Sequence, residues 1–74
     1  MGGGAGMIYR CIGCRKEPHE IAEYVEAAAD EGFTPERYVQ TEEGTLNHEN
    51  GHFACTECYI GMGMPSSPEG WIAP

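Results

Sequence analysis

The pattern of apolar and polar positions is clearest between residues 17 and 32, where it has the period of an α-helix. Apolar side chains recur on one predicted face and acidic side chains on the other. The predicted buried face consists of Ile21, Tyr24, Val25, Ala28 and Ala29. Pro18 suits the first helical turn, and Gly32 suits the position after the last. The segment therefore predicts one amphipathic helix.

The stretch after this helix has the residue types of β-structure. Residues 34–36 begin a short turn of helix or form a connector, and two strand-like segments follow, 37–41 and 44–48. Asn50-Gly51 is a hairpin signal that leads a further strand into residues 52–55. The chain therefore predicts an α+β fold: one amphipathic helix with a β-hairpin or short antiparallel sheet.

Four cysteines form two Cys-x-x-Cys pairs, Cys11 with Cys14 and Cys55 with Cys58, separated by 40 residues. Two such pairs suit a tetrahedral Cys₄ site, because each pair folds into a tight knuckle that directs two sulfurs at one ion. We predict one Zn²⁺ and no catalysis, since four thiolates leave no open position for water. Two disulfides are the alternative, disfavoured in a reducing compartment.

The cysteine motifs resemble those of a known group of small zinc domains. A strand, a knuckle, a long insert, a hairpin and "FACTEC" opening a short helix are similar to zinc-ribbon and treble-clef domains, over Ile8 to Gly63. Residues 42–65 are also similar to small uncharacterised phage and actinobacterial zinc proteins. The resemblance implies a structural metal site, but members bind proteins, bind nucleic acids or brace enzymes, so it fixes no single function.

The main chemical alternative is an iron site. Rubredoxins are similar to this chain in being small and acidic with two Cys-x-x-Cys loops, which would imply electron transfer. Their loops resemble CxxCG, however, whereas Arg15 and Tyr59 occupy the glycine positions here. Zinc is the usual occupant of a tetrahedral S₄ site and is favoured. Thioredoxin-type redox chemistry needs a βαβ context that this sequence lacks.

Charge narrows the choice of partners. Four Lys and Arg against twelve Asp and Glu give a net charge of −8. Such a surface disfavours nucleic acid and suits a protein partner, best a basic one. Arg10, Arg15 and Lys16 flank the first cysteine pair, where they either lower thiolate pKa values or form a small anion-contacting patch. DNA or RNA binding would require these three and Arg37 on one face.

The C-terminal residues offer a candidate partner surface. Met62, Met64, Trp71 and Ile72 form an apolar stretch beside the second cysteine pair. Methionines adapt to varied surfaces, so the stretch predicts a protein-docking site, with packing around the metal as the alternative.

The histidines of the predicted hairpin have a simple interpretation. His48 and His52 flank the Asn50-Gly51 turn and are expected to face solvent. A second metal site including Glu49, or His52 in place of one cysteine ligand, is the alternative.

The chain divides into three predicted parts. Residues 1–6 are glycine-rich and predict a disordered leader, 7–64 a zinc-binding domain, and 65–74 an extended tail packed on the core. Seventy-four residues form a small core, so a metal or other staple is expected. We find no secretory signal and no apolar run long enough to span a bilayer, which predicts a cytoplasmic protein.

Overall fold

The computed structural model describes residues 7–66 and 70–74. Within these residues, helices surround a very short sheet. In chain order the elements are β1 (Arg10–Cys11), a 3₁₀ turn (Pro18–Glu20), α1 (Ala22–Glu31), α2 (Pro35–Glu42), β2 (His52–Phe53) and α3 (Thr56–Gly61). The predicted leader, residues 1–6, lies outside the described residues.

The two strands are parallel, and the predicted antiparallel sheet is wrong. Arg10 pairs with His52 and Cys11 with Phe53. Parallel strands bring their carboxyl ends to the same edge, and a long crossover is needed between them. The segment containing α1 and α2 provides that crossover, so the expectation that the chain lacks a βαβ context is wrong. Both cysteine pairs therefore leave the sheet on the same side, which a hairpin would not have achieved.

The segment 37–41, predicted as a strand, belongs to α2. The Thr34 side chain caps this helix by accepting a hydrogen bond from the Arg37 amide at 3.1 Å, and Pro35 occupies the first turn. The cap and proline outweigh the β-propensity of the β-branched and aromatic residues that follow. The second predicted strand, 44–48, is a loop with turns. Asn50-Gly51 thus ends a turn rather than joining a hairpin.

The predicted amphipathic helix is confirmed as a shorter element with a narrower buried face. Ile21 has extended backbone angles and separates the 3₁₀ turn from α1. Gly32 ends α1 in the left-handed conformation with φ 75°. Of the predicted face, Tyr24 and Ala28 are buried and Ile21 is half-buried, whereas the other two predicted positions, Val25 and Ala29, are exposed. One stripe therefore contacts the core.

The core joins α1, α2, β1 and β2. Its fully buried members include two of the cysteines: the set is Cys11, Tyr24, Val39, Leu46, Phe53 and Cys55. The Tyr24 ring meets Phe53 edge-on, with 5.4 Å between centroids. The buried Tyr24 hydroxyl donates to Glu43 at 2.6 Å, so its polar end is satisfied. The cysteine cluster is therefore continuous with the apolar core.

The last residues of the chain contact the loop before β2. The Ala73 amide donates to the Thr45 carbonyl at 2.9 Å, and the Asn47 side chain donates to the Ala73 carbonyl at 2.9 Å. Ala73 is buried. The division of the chain at residues 64 and 65 stays a prediction, and residues 67–69 of the predicted tail lie outside the described residues. Among the described helices, none has the length and apolar character to cross a bilayer.

Candidate metal centre

The first knuckle is a closed loop at the end of β1. The Cys11 amide donates to the Lys16 carbonyl at 3.0 Å, and the Arg15 amide donates to the Cys11 carbonyl at 2.9 Å. The Ile12 amide donates to the Phe53 carbonyl at 2.8 Å and fixes the loop to β2. Arg15 has φ 66°, the left-handed conformation that glycine adopts most easily. The backbone thus turns back at the position where rubredoxin-type loops have glycine.

The second knuckle is the start of α3. Cys55 is the N-cap residue, and its carbonyl accepts the Tyr59 amide at 2.8 Å. Glu23 of α1 accepts hydrogen bonds from the Thr56 amide, at 3.0 Å, and from the Thr56 hydroxyl. Glu23 is exposed, as expected for the acidic face of the helix. It also fixes the first turn of α3, and with it Cys58, against α1.

The two knuckles bring all four cysteine sulfurs together. The sulfurs of Cys11, Cys14, Cys55 and Cys58 lie within 4.8 Å of one another. Cys11 Sγ and Cys55 Sγ are 3.7 Å apart. Tetrahedral coordination with metal–sulfur bonds of about 2.3 Å requires sulfurs roughly 3.8 Å apart, whereas a disulfide requires about 2.05 Å. The four thiols are free of disulfides, and the cluster has the dimensions of a site that can hold a metal ion.

The surroundings of Cys11 favour its thiolate. Burial raises the pKa of this thiol, but the backbone amides of Cys14, Cys55 and Gly13 outweigh burial and lower the pKa to about 7. The Gly13 and Cys55 amides each donate to Cys11 Sγ at 3.4 Å. Amide donors around a sulfur stabilise negative charge, as a metal-bound thiolate requires.

The remaining thiols resist ionisation without a cation. Burial raises the pKa of Cys55, and the Cys58 and Cys11 sulfurs add to the rise. Burial also raises the pKa of Cys58. Several thiolates cannot share one small volume unless a cation offsets their repulsion. The donor set therefore fits a metal ion better than four free thiols.

Gly13 belongs to the site because a larger residue at this position would collide with Cys58. A Cβ at this position would lie 2.6 Å from both Cβ and Sγ of Cys58. The sequence pattern alone indicates no contact between residue 13 and the second knuckle. The Gly between two cysteines was a visible signal, but only the fold shows that the two knuckles pack against each other there.

One side of the cluster opens into a groove of about 360 Å³. Cys14 is exposed and Cys58 half-buried, while the other two cysteines are buried. Three acidic side chains and one lysine border the groove: Glu20, Glu23, Glu57 and Lys16. The open side of the cluster is therefore predominantly acidic.

The predicted partner residues lie at and after the end of α3. Met62, Met64 and Ile72 are exposed at 39%, 58% and 51%, whereas Trp71 is half-buried. The Trp71 ring contacts the Tyr59 ring, with centroids 5.8 Å apart, and the Tyr59 hydroxyl donates to the Pro65 carbonyl. Trp71 thus contacts α3 through Tyr59, and the other three predicted partner residues lie in solvent.

The histidines do not join the cysteine cluster. His48 is exposed, and His52 Nδ1 lies 2.8 Å from the Pro74 carbonyl oxygen. Within residues 7–66 and 70–74, His48, Glu49 and His52 form no group of potential metal ligands. A different group, which the sequence pattern did not predict, has its ligand atoms within 4.8 Å of one another and consists of Glu17, His19 and Glu20. It lies on the surface, where His19 pairs with Glu36 at 2.7 Å.

Comparisons with known proteins identify no relative of this chain. No protein-family model, no curated protein and no solved structure matches the chain. The similarity to zinc-ribbon and treble-clef domains therefore rests on the cysteine motifs. A second cysteine pair at the start of a helix agrees with that group, and parallel strands do not agree with its hairpin.

Proposed function

We propose that this chain is a structural zinc domain in which Cys11, Cys14, Cys55 and Cys58 hold one Zn²⁺. The observation that supports this most strongly is the 3.7 Å separation of two sulfurs that are 44 residues apart in the chain. Bound zinc would link β1 to α3 and neutralise the repulsion between thiolates. In small zinc domains such a metal contributes roughly 10–16 kcal/mol to folding, which is comparable with the whole stability of an ordinary domain.

We also propose that this domain has no catalytic role and lies in the cytoplasm, for two reasons. Four thiolate ligands complete a tetrahedral shell, so the metal has no open position for water or substrate. Reduced thiols persist in the cytoplasm, where structural disulfides are rare.

A rubredoxin-like iron site is the second candidate. The same tetrahedral S₄ geometry suits iron, and Arg15 adopts the left-handed backbone that a knuckle glycine would adopt. At the second knuckle, Tyr59 lies within α3, so the two loops are not equivalent. The absence of glycine after either cysteine pair and the difference in backbone between the two loops favour zinc.

We propose that the domain acts as a small protein-interaction module. Exposed apolar side chains at the end of α3 form the docking surface: Ile60, Met62, Met64 and Ile72. No Lys or Arg occurs after Arg37, whereas five glutamates do. An apolar surface in an acidic half of the chain suits a basic partner with apolar anchors.

The interaction role is tested with paired surface variants. Met62→Ser removes an apolar side chain that is 39% exposed, and Val25→Ser removes one that is 40% exposed on α1. Partners captured from cells should be lost from the Met62 variant and retained by the Val25 variant, and capture should weaken as salt rises. Equal capture by both folded variants would exclude the C-terminal surface.

A further inference from the structure

The three cations around the first knuckle lie on two different sides of it. Lys16 borders the acidic groove beside Cys14 and Cys58. Arg10 and Arg15 instead border a separate groove of about 310 Å³ on the side of β1 and β2. His52, Ile12 and Cys11 complete its lining. One groove of an acidic protein thus contains two of its four Lys and Arg side chains.

These two guanidinium groups are available to a ligand. Arg15 is exposed and, within the described residues, makes no ion pair with any carboxylate. Arg10 donates to the Arg15 carbonyl at 3.0 Å, which holds its side chain across the knuckle. Its ion pair with Glu17 is long, 3.6 Å, and partly exposed, so it competes weakly with another anion. Next to an apolar wall, the Arg15 guanidinium therefore lacks a paired carboxylate within the described residues, and that of Arg10 is only weakly paired, with Glu17.

The backbone conformation of Arg15 gives a second reason to expect that its side chain binds a ligand. Its φ of 66° is unfavourable for a side chain with a Cβ and costs nothing for glycine. Arginine at this position is therefore not explained by the turn. Its guanidinium group is the feature that distinguishes it from the residue that would suit the backbone best.

We propose that the groove beside β1 and β2 binds, through Arg10 and Arg15, a carboxylate attached to a small aliphatic group. Guanidinium groups match the planar carboxylate and can bind it through two parallel hydrogen bonds. Ile12 gives the groove an apolar wall for the aliphatic part. The net charge of −8 opposes a dianion such as phosphate more than a monoanion. A peptide C-terminus ending in an aliphatic residue has this chemistry.

The test is a titration of the full chain, as purified with its metal, followed by amide chemical shifts. The probes are N-acetylleucine, its uncharged analogue N-acetylleucinamide, and inorganic phosphate. N-acetylleucine should give saturable shifts at the amides of Cys11, Ile12, Arg15 and His52. The amide analogue should give none there, and phosphate should bind more weakly. Absence of saturation, equal binding of the uncharged analogue, or tighter binding of phosphate would each overturn the proposal.

Variants with the same change in net charge distinguish binding in this groove from a general effect of protein charge. Arg15→Asn removes the guanidinium group and keeps a residue that tolerates the left-handed conformation, and Arg10→Gln removes the second cation. Each should weaken N-acetylleucine binding about tenfold or more. Arg37→Gln makes the same charge change at a side chain that lies over the Phe33 ring, and should leave affinity within about twofold. Equal losses in the Arg15 and Arg37 variants would contradict the assignment.

Discussion

Gly13→Ala tests how closely the two knuckles pack. The added Cβ would lie 2.6 Å from Cβ and Sγ of Cys58. To reach an ordinary contact of 3.4 Å, Cys58 must retreat by about 0.8 Å. Metal–sulfur distances tolerate only about 0.2 Å. In the Gly13→Ala protein, Cys58 therefore cannot keep both an ordinary contact distance to residue 13 and its ordinary distance to the metal.

We expect two effects of Gly13→Ala. Overpacking should lower the free energy of unfolding by about 1–3 kcal/mol, and displacement of Cys58 should weaken metal affinity roughly 10–100-fold, as for other groups that orient metal ligands. Competition with a chromophoric chelator measures the affinity, and urea unfolding of the metal-bound protein measures the stability.

Gly61→Ala is the matched control. Gly61 lies in α3, has no neighbour within 4 Å of an added Cβ and has no positive φ. Alanine should stabilise α3 by up to about 1 kcal/mol and leave the metal affinity unchanged. Equal metal affinity and stability in the two variants would refute the packing of Gly13 against Cys58.

Three further predictions concern the core, a surface pair and an exposed ligand. Tyr24→Phe removes the donor to Glu43 and should lower the free energy of unfolding by about 1.5–3 kcal/mol, measured by urea unfolding. The hydrogen bond with Glu36 raises the pKa of His19. Burial raises the pKa of Glu36, but the hydrogen bond with His19 and other favourable interactions outweigh burial, so the pKa of Glu36 is lowered overall. Their mutual stabilisation is present between the ordinary pKa values of 4.5 and 6.5, and is lost as pH rises through the raised pKa of His19. The melting temperature of His19→Gln should therefore fall further below that of the parent at about pH 5.5 than at about pH 8.5. Cys14→Ser should lose the metal and the cooperative unfolding transition, as followed by circular dichroism.

Each of these predictions has a clear contrary result. Tyr38→Phe is the control for the core, since the Tyr38 hydroxyl donates no hydrogen bond within the described residues; equal losses in the two variants would contradict the role of the Glu43 contact. A His19→Gln difference independent of pH would contradict the ion pair. A folded, metal-bound Cys14→Ser protein would show that three cysteines suffice.

The sequence predicted which cysteines lie together better than it predicted the path of the chain. Spacing within each Cys-x-x-Cys pair is a local property, and it identified the four residues that the fold brings together. It could not show that Glu23 caps the Thr56 amide or that Gly13 contacts Cys58. Both contacts join residues more than 30 positions apart, and nothing local in the sequence encodes such pairs.

The errors in the fold have the same origin. Val39 and its neighbours have β-propensity, but Thr34 and Pro35 form a helix start that dominates in α2. The Asn50-Gly51 turn is present, with Gly51 at φ 80°. Its strand pairs with β1 rather than with the preceding segment, and this parallel pairing directs both knuckles to one edge.

Native mass spectrometry with elemental analysis, on protein purified without added metal, tests the central claim most directly. We expect one zinc per chain, lost on acidification together with the folded structure. One iron with a red visible spectrum would support the rubredoxin-like alternative. A folded, metal-free chain lighter by about four hydrogens, the mass lost when four thiols form two disulfides, would contradict the Cys₄ metal site.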